Sequence, residues 1–140
     1  MIDFSKFELD HVAIAVESIE TSLPFYQALG FSSHHIEDVP SEKVRTCFLS
    51  LANNVSVELL EAVGDESPIT KFLQKRGPGI HHMCYRVKNI EAVVAQVKKA
   101  GIQLINETPR QGAHNCKVVF VHPKSSGGVL IEFSEKMSDS

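Results

Sequence analysis

Cysteine is scarce in this chain. Three of 140 residues are cysteine (Cys47, Cys84 and Cys116), they lie far apart, and no C-x-x-C pair occurs. An odd, scattered set gives no disulfide framework, and free thiols in a reducing cytosol are the simplest account, so a cytoplasmic location is expected. Runs of basic charge are also missing. The 14 Lys and Arg are outnumbered by 17 Asp and Glu, for a formal charge of −3. This argues against nucleic acid or an anionic membrane as partner. No apolar run approaches the length of a bilayer span. The opening stretch MIDFSKFELD is acidic and lacks the apolar segment of a secretory signal. What is present is ordinary: 43% hydrophobic and 22% charged residues, enough for a real core in one domain or in two small modules sharing one.

The chain repeats itself. LDHVAIAVESIETSLPFYQALGF (9–31) can be laid over IHHMCYRVKNIEAVVAQVKKAGI (80–102) without a gap, at an offset of 71. His11 falls on His82, Ile19 on Ile90, Glu20 on Glu91 and Gly30 on Gly101. Such a repeat is the mark of duplicated architecture. Each copy opens with strand-like alternation and continues as a helix. Ser18 or Asn89 is the expected N-cap, with Glu20 or Glu91 in the first turn and Gly30 or Gly101 at the end. Pro24 should kink the first helix or mark a later start. Two strand-like runs close each copy. They are 44–51 and 55–62, joined at Ala52-Asn53-Asn54, then 116–122 and 128–135, joined by PKSSGG. A shorter strand is expected before each pair, near 32–37 and 103–106. The pattern is β-α-β-β-β, twice: module one about 7–63, a linker helix about 67–77 ended by Gly-Pro-Gly, and module two about 78–135, all in a single domain spanning 1–140.

Two histidines stand side by side in GIHHMCYRV (79–87). Neighbouring strand residues point to opposite faces, so both cannot serve one site. The repeat selects His82, the partner of His11. Both lie on a face lined by small residues (Ala13, Ala15, Cys84), which would leave room for a cleft. His81 matches Asp10 and is expected to be structural or exposed. The last strands carry a second matched pair, Glu58 and Glu132, each pointing away from aliphatic neighbours. A carboxylate in that position is costly unless something satisfies it. His11, Glu58, His82 and Glu132 thus form a mixed N/O set suited to one divalent ion such as Co, Zn, Mn, Ni or Fe. Four protein ligands on a six-coordinate ion leave two positions open, which suggests catalysis.

The other candidates carry less. A lone strand histidine is usually a satisfied structural residue, and His34 and His35, beside an acidic loop, read as solvated surface. His114, in a Gly-Ala-His-Asn loop, and His122, in a His-Pro-Lys turn, could line a pocket mouth. Cys84 reads as a small filler.

With these residues in place, the chain resembles the vicinal oxygen chelate superfamily, the glyoxalase fold, over about residues 7–135. Within it, LDHVAIAV, VELLEAVGDESPITKFLQKRGPGIHHM and GAHNCKVVFVHPKSSGGVLIEF are most similar to the methylmalonyl-CoA epimerase family. The resemblance implies an α+β fold in which two tandem βαβββ modules form a U-shaped mixed sheet around one metal ion. The ligands it implies are the same four, His11, Glu58, His82 and Glu132. It also implies an acyl-CoA thioester as substrate and a homodimer. The activity implied is epimerisation beside a thioester through a metal-stabilised enolate, with Glu132 as one base. The other base sits in a loop that the family usually reads Val-Pro-Glu-Gln. Here it reads Val39-Pro40-Ser41-Glu42. Ser41 stands where the family has Glu, and Glu42 next door is the candidate. Gly112, His114 and Lys124 are candidates for holding the CoA arm. The alternatives are a lactoylglutathione lyase of the glyoxalase I type, or a metal-free drug-sequestering protein of the same fold. An extradiol dioxygenase would show two His and one Glu, and the additional Glu58 argues against it.

Overall fold

The computed structural model describes residues 2–31 and 35–138. His34 lies outside them. Two compact units divide the chain: Met1–Asp10 with His82–Ser140, and His11–His81. The divisions fall inside the first strand of each repeat, so the first ten residues belong with the second half of the sequence.

In the unit His11–His81 the elements are β1 (Glu8–Ala15, begun in the other unit), α1 (Ile19–Ala28), β2 (His35–Val39), β3 (Val44–Ser50), β4 (Ser56–Ala62) and α2 (Pro68–Arg76). The sheet order is β2-β3-β4-β1. β1 pairs parallel with β4, and β3 pairs antiparallel with β2 and β4. The β3–β4 turn places Asn53 and Asn54 at φ 64° and 60°, a left-handed conformation that asparagine tolerates better than most residues. One sheet face packs Leu59, Cys47 and Leu49 against Ile19 and Leu23 of α1. On the opposite face Ala13, Ala15 and Leu60 pack against Ile69 of α2. The small residues at Ala13 and Ala15 therefore make room for the linker helix, where the sequence suggested a cleft.

The second unit repeats this plan with β5 (Gly79–Arg86), α3 (Ile90–Lys99), β6 (Arg110–Gln111), β7 (Cys116–Val121) and β8 (Leu130–Lys136), in the order β5-β8-β7-β6. Again the first strand pairs parallel with the last. The core joins Ile90, Val93 and Val94 of α3 to Val119, Val121 and Phe133. The N-terminal segment closes it: Phe4 and Phe7 pack edge-on against Tyr85 and Phe133, and the Ile2 N–H donates to Gln96 at 2.9 Å.

The helix starts follow the sequence. The Ser18 hydroxyl accepts from the Thr21 N–H, and the Asn89 side chain accepts from Ala92. α1 begins at Ile19 and runs through Pro24, so the later start is not observed. A further device was not foreseen. Glu61 accepts from the Ile19 N–H at 2.8 Å and Glu135 from the Ile90 N–H at 2.7 Å. Each carboxylate ties the first turn of a helix to the end of the strand behind it, at matched positions of the repeat.

Two expected strands come out differently. β2 is described only from His35. The expected strand at 103–106 is reduced to a single bridge between Leu104 and Val121. The cause is Asn106, whose side-chain amide donates to the Val118 carbonyl at 3.2 Å and accepts from the Phe120 N–H at 3.0 Å. The side chain occupies the edge of β7 that a strand backbone would otherwise pair. The ladder resumes at Arg110–Gln111.

Candidate functional site

In the first unit His11 and Glu58 come from neighbouring strands. The β1–β4 register sets Ala13 beside Glu58, and the His11 ring reaches along the shared face. Its Nδ1 lies 2.8 Å from Glu58 Oε2. In the second unit the β5–β8 register sets Cys84 beside Glu132, and His82 Nε2 lies 3.0 Å from Glu132 Oε1. All four side chains are buried. A buried carboxylate alone would be costly, so each has an imidazole partner. The two halves thus show the same pair at matched positions, made through different ring nitrogens.

Each pair, taken by itself, fits a metal. Imidazole nitrogen and carboxylate oxygen bind borderline divalent ions at about 2.0–2.2 Å. The observed 2.8 and 3.0 Å are hydrogen-bond lengths, and the donor set of each pair is one that a borderline divalent ion would accept. Only small shifts would be needed to turn either hydrogen-bonded pair into two adjacent ligands.

His81, on the other face, is half-buried with its ring edge-on to Phe72 of α2 at 5.0 Å, a packing role. Cys84 is fully buried with its Sγ 3.3 Å from the Ser134 hydroxyl, and acts as a filler. Burial also raises the Cys47 thiol above its ordinary pKa, so that thiol does not suit nucleophilic work. His35 is exposed and stacks on Phe48.

The remaining candidates are dispersed. Glu42 is half-buried in a single 3-10 turn, Pro40–Glu42, ended by Lys43 at φ 56°; Ser41 is exposed. The turn precedes Val44, which pairs with Ala62. That is four residues along β4 from Glu58, or about 13 Å of strand. Gly112 and His114 sit before β7, whereas Lys124 sits in the turn after it. About 20 Å of strand separates the two groups, so they do not form one subsite. Gly112 has a packing reason of its own: a Cβ there would meet Val118 Cγ1 at 2.9 Å. His114 is exposed at φ 57°. His122 accepts from the Lys124 N–H at 3.0 Å and caps its own turn.

Two residues of this face were missed in the sequence. Phe120 pairs with Glu132 across β7–β8, and its ring meets His82 edge-on at 5.7 Å. The Arg110 guanidinium lies over that ring, 5.7 Å from its centre. Alternation within VVFV could have placed Phe120 on the Glu132 face. Arg110 gave no signal, because it lies outside every periodic segment. Among the described residues no helix is long and apolar enough to cross a membrane.

Comparisons with known proteins agree with this architecture. Residues 10–120 match the glyoxalase/bleomycin resistance protein/dioxygenase superfamily. The mitochondrial methylmalonyl-CoA epimerase of Homo sapiens is 42% identical over 129 residues, covering 91% of this chain and 73% of that protein. The crystal structure of methylmalonyl-CoA epimerase from Mycobacterium tuberculosis superposes with a TM-score of 0.89 at 35% identity, covering 99% of this chain and 94% of that one. Hypothetical protein BH1468 from Bacillus halodurans C-125 superposes at 0.90 with 46% identity, covering 96% and 98%.

Proposed function

This chain belongs to the glyoxalase/bleomycin resistance protein/dioxygenase superfamily, and we propose that it is an isomerase that interconverts the (R) and (S) epimers of methylmalonyl-CoA. The observation that carries the reading is the repeated buried His–Glu pair, at 2.8 and 3.0 Å, in a chain more than a third identical to epimerases along most of its length. These relatives bear epimerase names, which favours this reading over the lactoylglutathione lyase. The matched ligand-type pairs weigh against a metal-free drug-sequestering protein.

Both pairs are proposed to hold one divalent ion, with His11, Glu58, His82 and Glu132 as its protein ligands. A bound divalent ion supplies positive charge close to the thioester oxygen, where the enolate charge develops. Glu132 takes the C2 proton on one face. The Glu42 carboxyl delivers a proton on the other, and both carboxyls re-equilibrate with water. Loss of either base is expected to slow turnover by about 10²- to 10⁴-fold. The Ser41-Glu42 turn would then do the work of the family's Glu, shifted by one residue. A cytoplasmic location and a homodimer belong to the same reading.

The test is exchange of the C2 proton in D₂O, followed by NMR with cobalt-loaded protein and methylmalonyl-CoA. Exchange at turnover rates that Glu132→Gln loses for the epimer whose C2 proton faces Glu132 supports the reading. Stoichiometric metal without exchange refutes it. Glu42→Gln should leave exchange of one epimer and abolish its conversion to the other. If both epimers still interconvert at the wild-type rate, Glu42 is not the second base.

A further inference from the structure

We propose that Arg110 is the anion-binding residue of this site, receiving an oxyanion of the substrate beside the His82–Glu132 pair; the inference rests on the epimerase reading. Three observations carry it. Arg110, Val118, Phe120 and Glu132 share one face of β6, β7 and β8, by the register Arg110–Val118 and Phe120–Glu132. Two ring contacts of 5.7 Å each link the guanidinium to the Phe120 ring, and that ring to the His82 imidazole. The two-residue strand that carries Arg110 is braced on both sides, by the Asn106 amide against β7 and by the Gly112 N–H donating to the Cys116 carbonyl at 2.8 Å.

The physical logic follows from the side chain. A guanidinium within cation–π distance of an aromatic ring carries its N–H donors in a fork that matches a carboxylate or phosphate. The ring contact at 5.7 Å also restricts the side chain before the ligand arrives, which reduces the entropy lost on binding. A malonyl thioester of CoA carries two kinds of oxyanion, the free carboxylate and the phosphates. Either could meet Arg110.

The experiment measures binding by calorimetry alongside C2-proton exchange, for wild type, Arg110→Ala and Arg110→Lys. The ligands are methylmalonyl-CoA, propionyl-CoA (no carboxylate) and methylmalonyl-pantetheine (no CoA phosphates). Arg110→Ala is expected to weaken methylmalonyl-CoA binding about 10- to 100-fold, the range for a hydrogen-bonded charge, raising KM while kcat and Tm hold. Arg110→Lys should recover part of the loss. A loss kept with methylmalonyl-pantetheine but absent with propionyl-CoA assigns the carboxylate. The reverse assigns a phosphate. Equal affinities of wild type and Arg110→Ala for all three ligands overturn the proposal, as does wild type that binds none of them. Wild type that binds but does not exchange overturns the epimerase reading alone, and Arg110 is then judged on affinity.

Discussion

Removing the carboxylate of Glu61 should cost far more than its position near the surface suggests. Its Oε1 accepts from the Ile19 N–H at 2.8 Å, and Ile19 is fully buried. A hydrogen bond to a charged group contributes about 1.5–3 kcal/mol. A negative charge at a helix N-terminus adds about 0.3–1 kcal/mol. The ion pair with Arg45, at 3.0 Å, adds little, because both groups see solvent. Glu61→Ala should therefore lose about 2–4 kcal/mol, a large share of a typical domain stability of about 5–15 kcal/mol. Glu61→Gln keeps an acceptor for Ile19 and should lose roughly half as much. The assay is urea unfolding followed by circular dichroism, in EDTA so that metal occupancy is constant. Because Glu135 repeats the contact on Ile90 at 2.7 Å, Glu135→Ala should fall in the same range. A loss below about 0.5 kcal/mol in Glu61→Ala would refute the clamp, since even one ordinary hydrogen bond is worth that much.

Other outcomes follow from the same geometry. Metal titration monitored by cobalt absorption should give one ion per chain, and His11→Ala or His82→Ala should each abolish it; two ions lost one at a time would mean the pairs do not share one. Gly112→Ala should destabilise by about 1–3 kcal/mol through overpacking on Val118, and Val118→Ala in the same chain should relieve it, as thermal melts would show. The Lys117 hydrogen bond lowers the Glu91 carboxyl below its ordinary 4.5. A depressed acid stabilises above its unfolded pKa and loses that stabilisation as pH falls through the folded one. The melting points of Glu91→Gln and wild type should therefore differ at pH 7 and converge as the pH falls through the lowered pKa of Glu91.

The His–Glu pairs were legible because two independent regularities agree on them. Alternation separates His82 from His81, and the offset of 71 ties His82 to His11; alternation in the last strands finds Glu58 and Glu132, at a slightly looser offset of 74. Helix caps at Ser18 and Asn89 were legible because a cap is bonded within three residues of itself. Local chemistry and a repeated period are thus written along the chain. Contacts between distant segments are not. Nothing local says that Glu61 reaches back 42 positions to Ile19, or that the alanines of β1 lie under α2. Asn106 takes the place of a strand because its amide copies a backbone pair, a choice made only once β7 is beside it. By itself, then, the sequence determined the duplicated modules, the periodicity of their elements and the ligand-type residues on one face. The tertiary structure decided which nitrogen meets which oxygen, what fills the space over the small residues, and that Arg110 lies over Phe120. Those depend on strand register and side-chain reach, which exist only when distant segments are packed together.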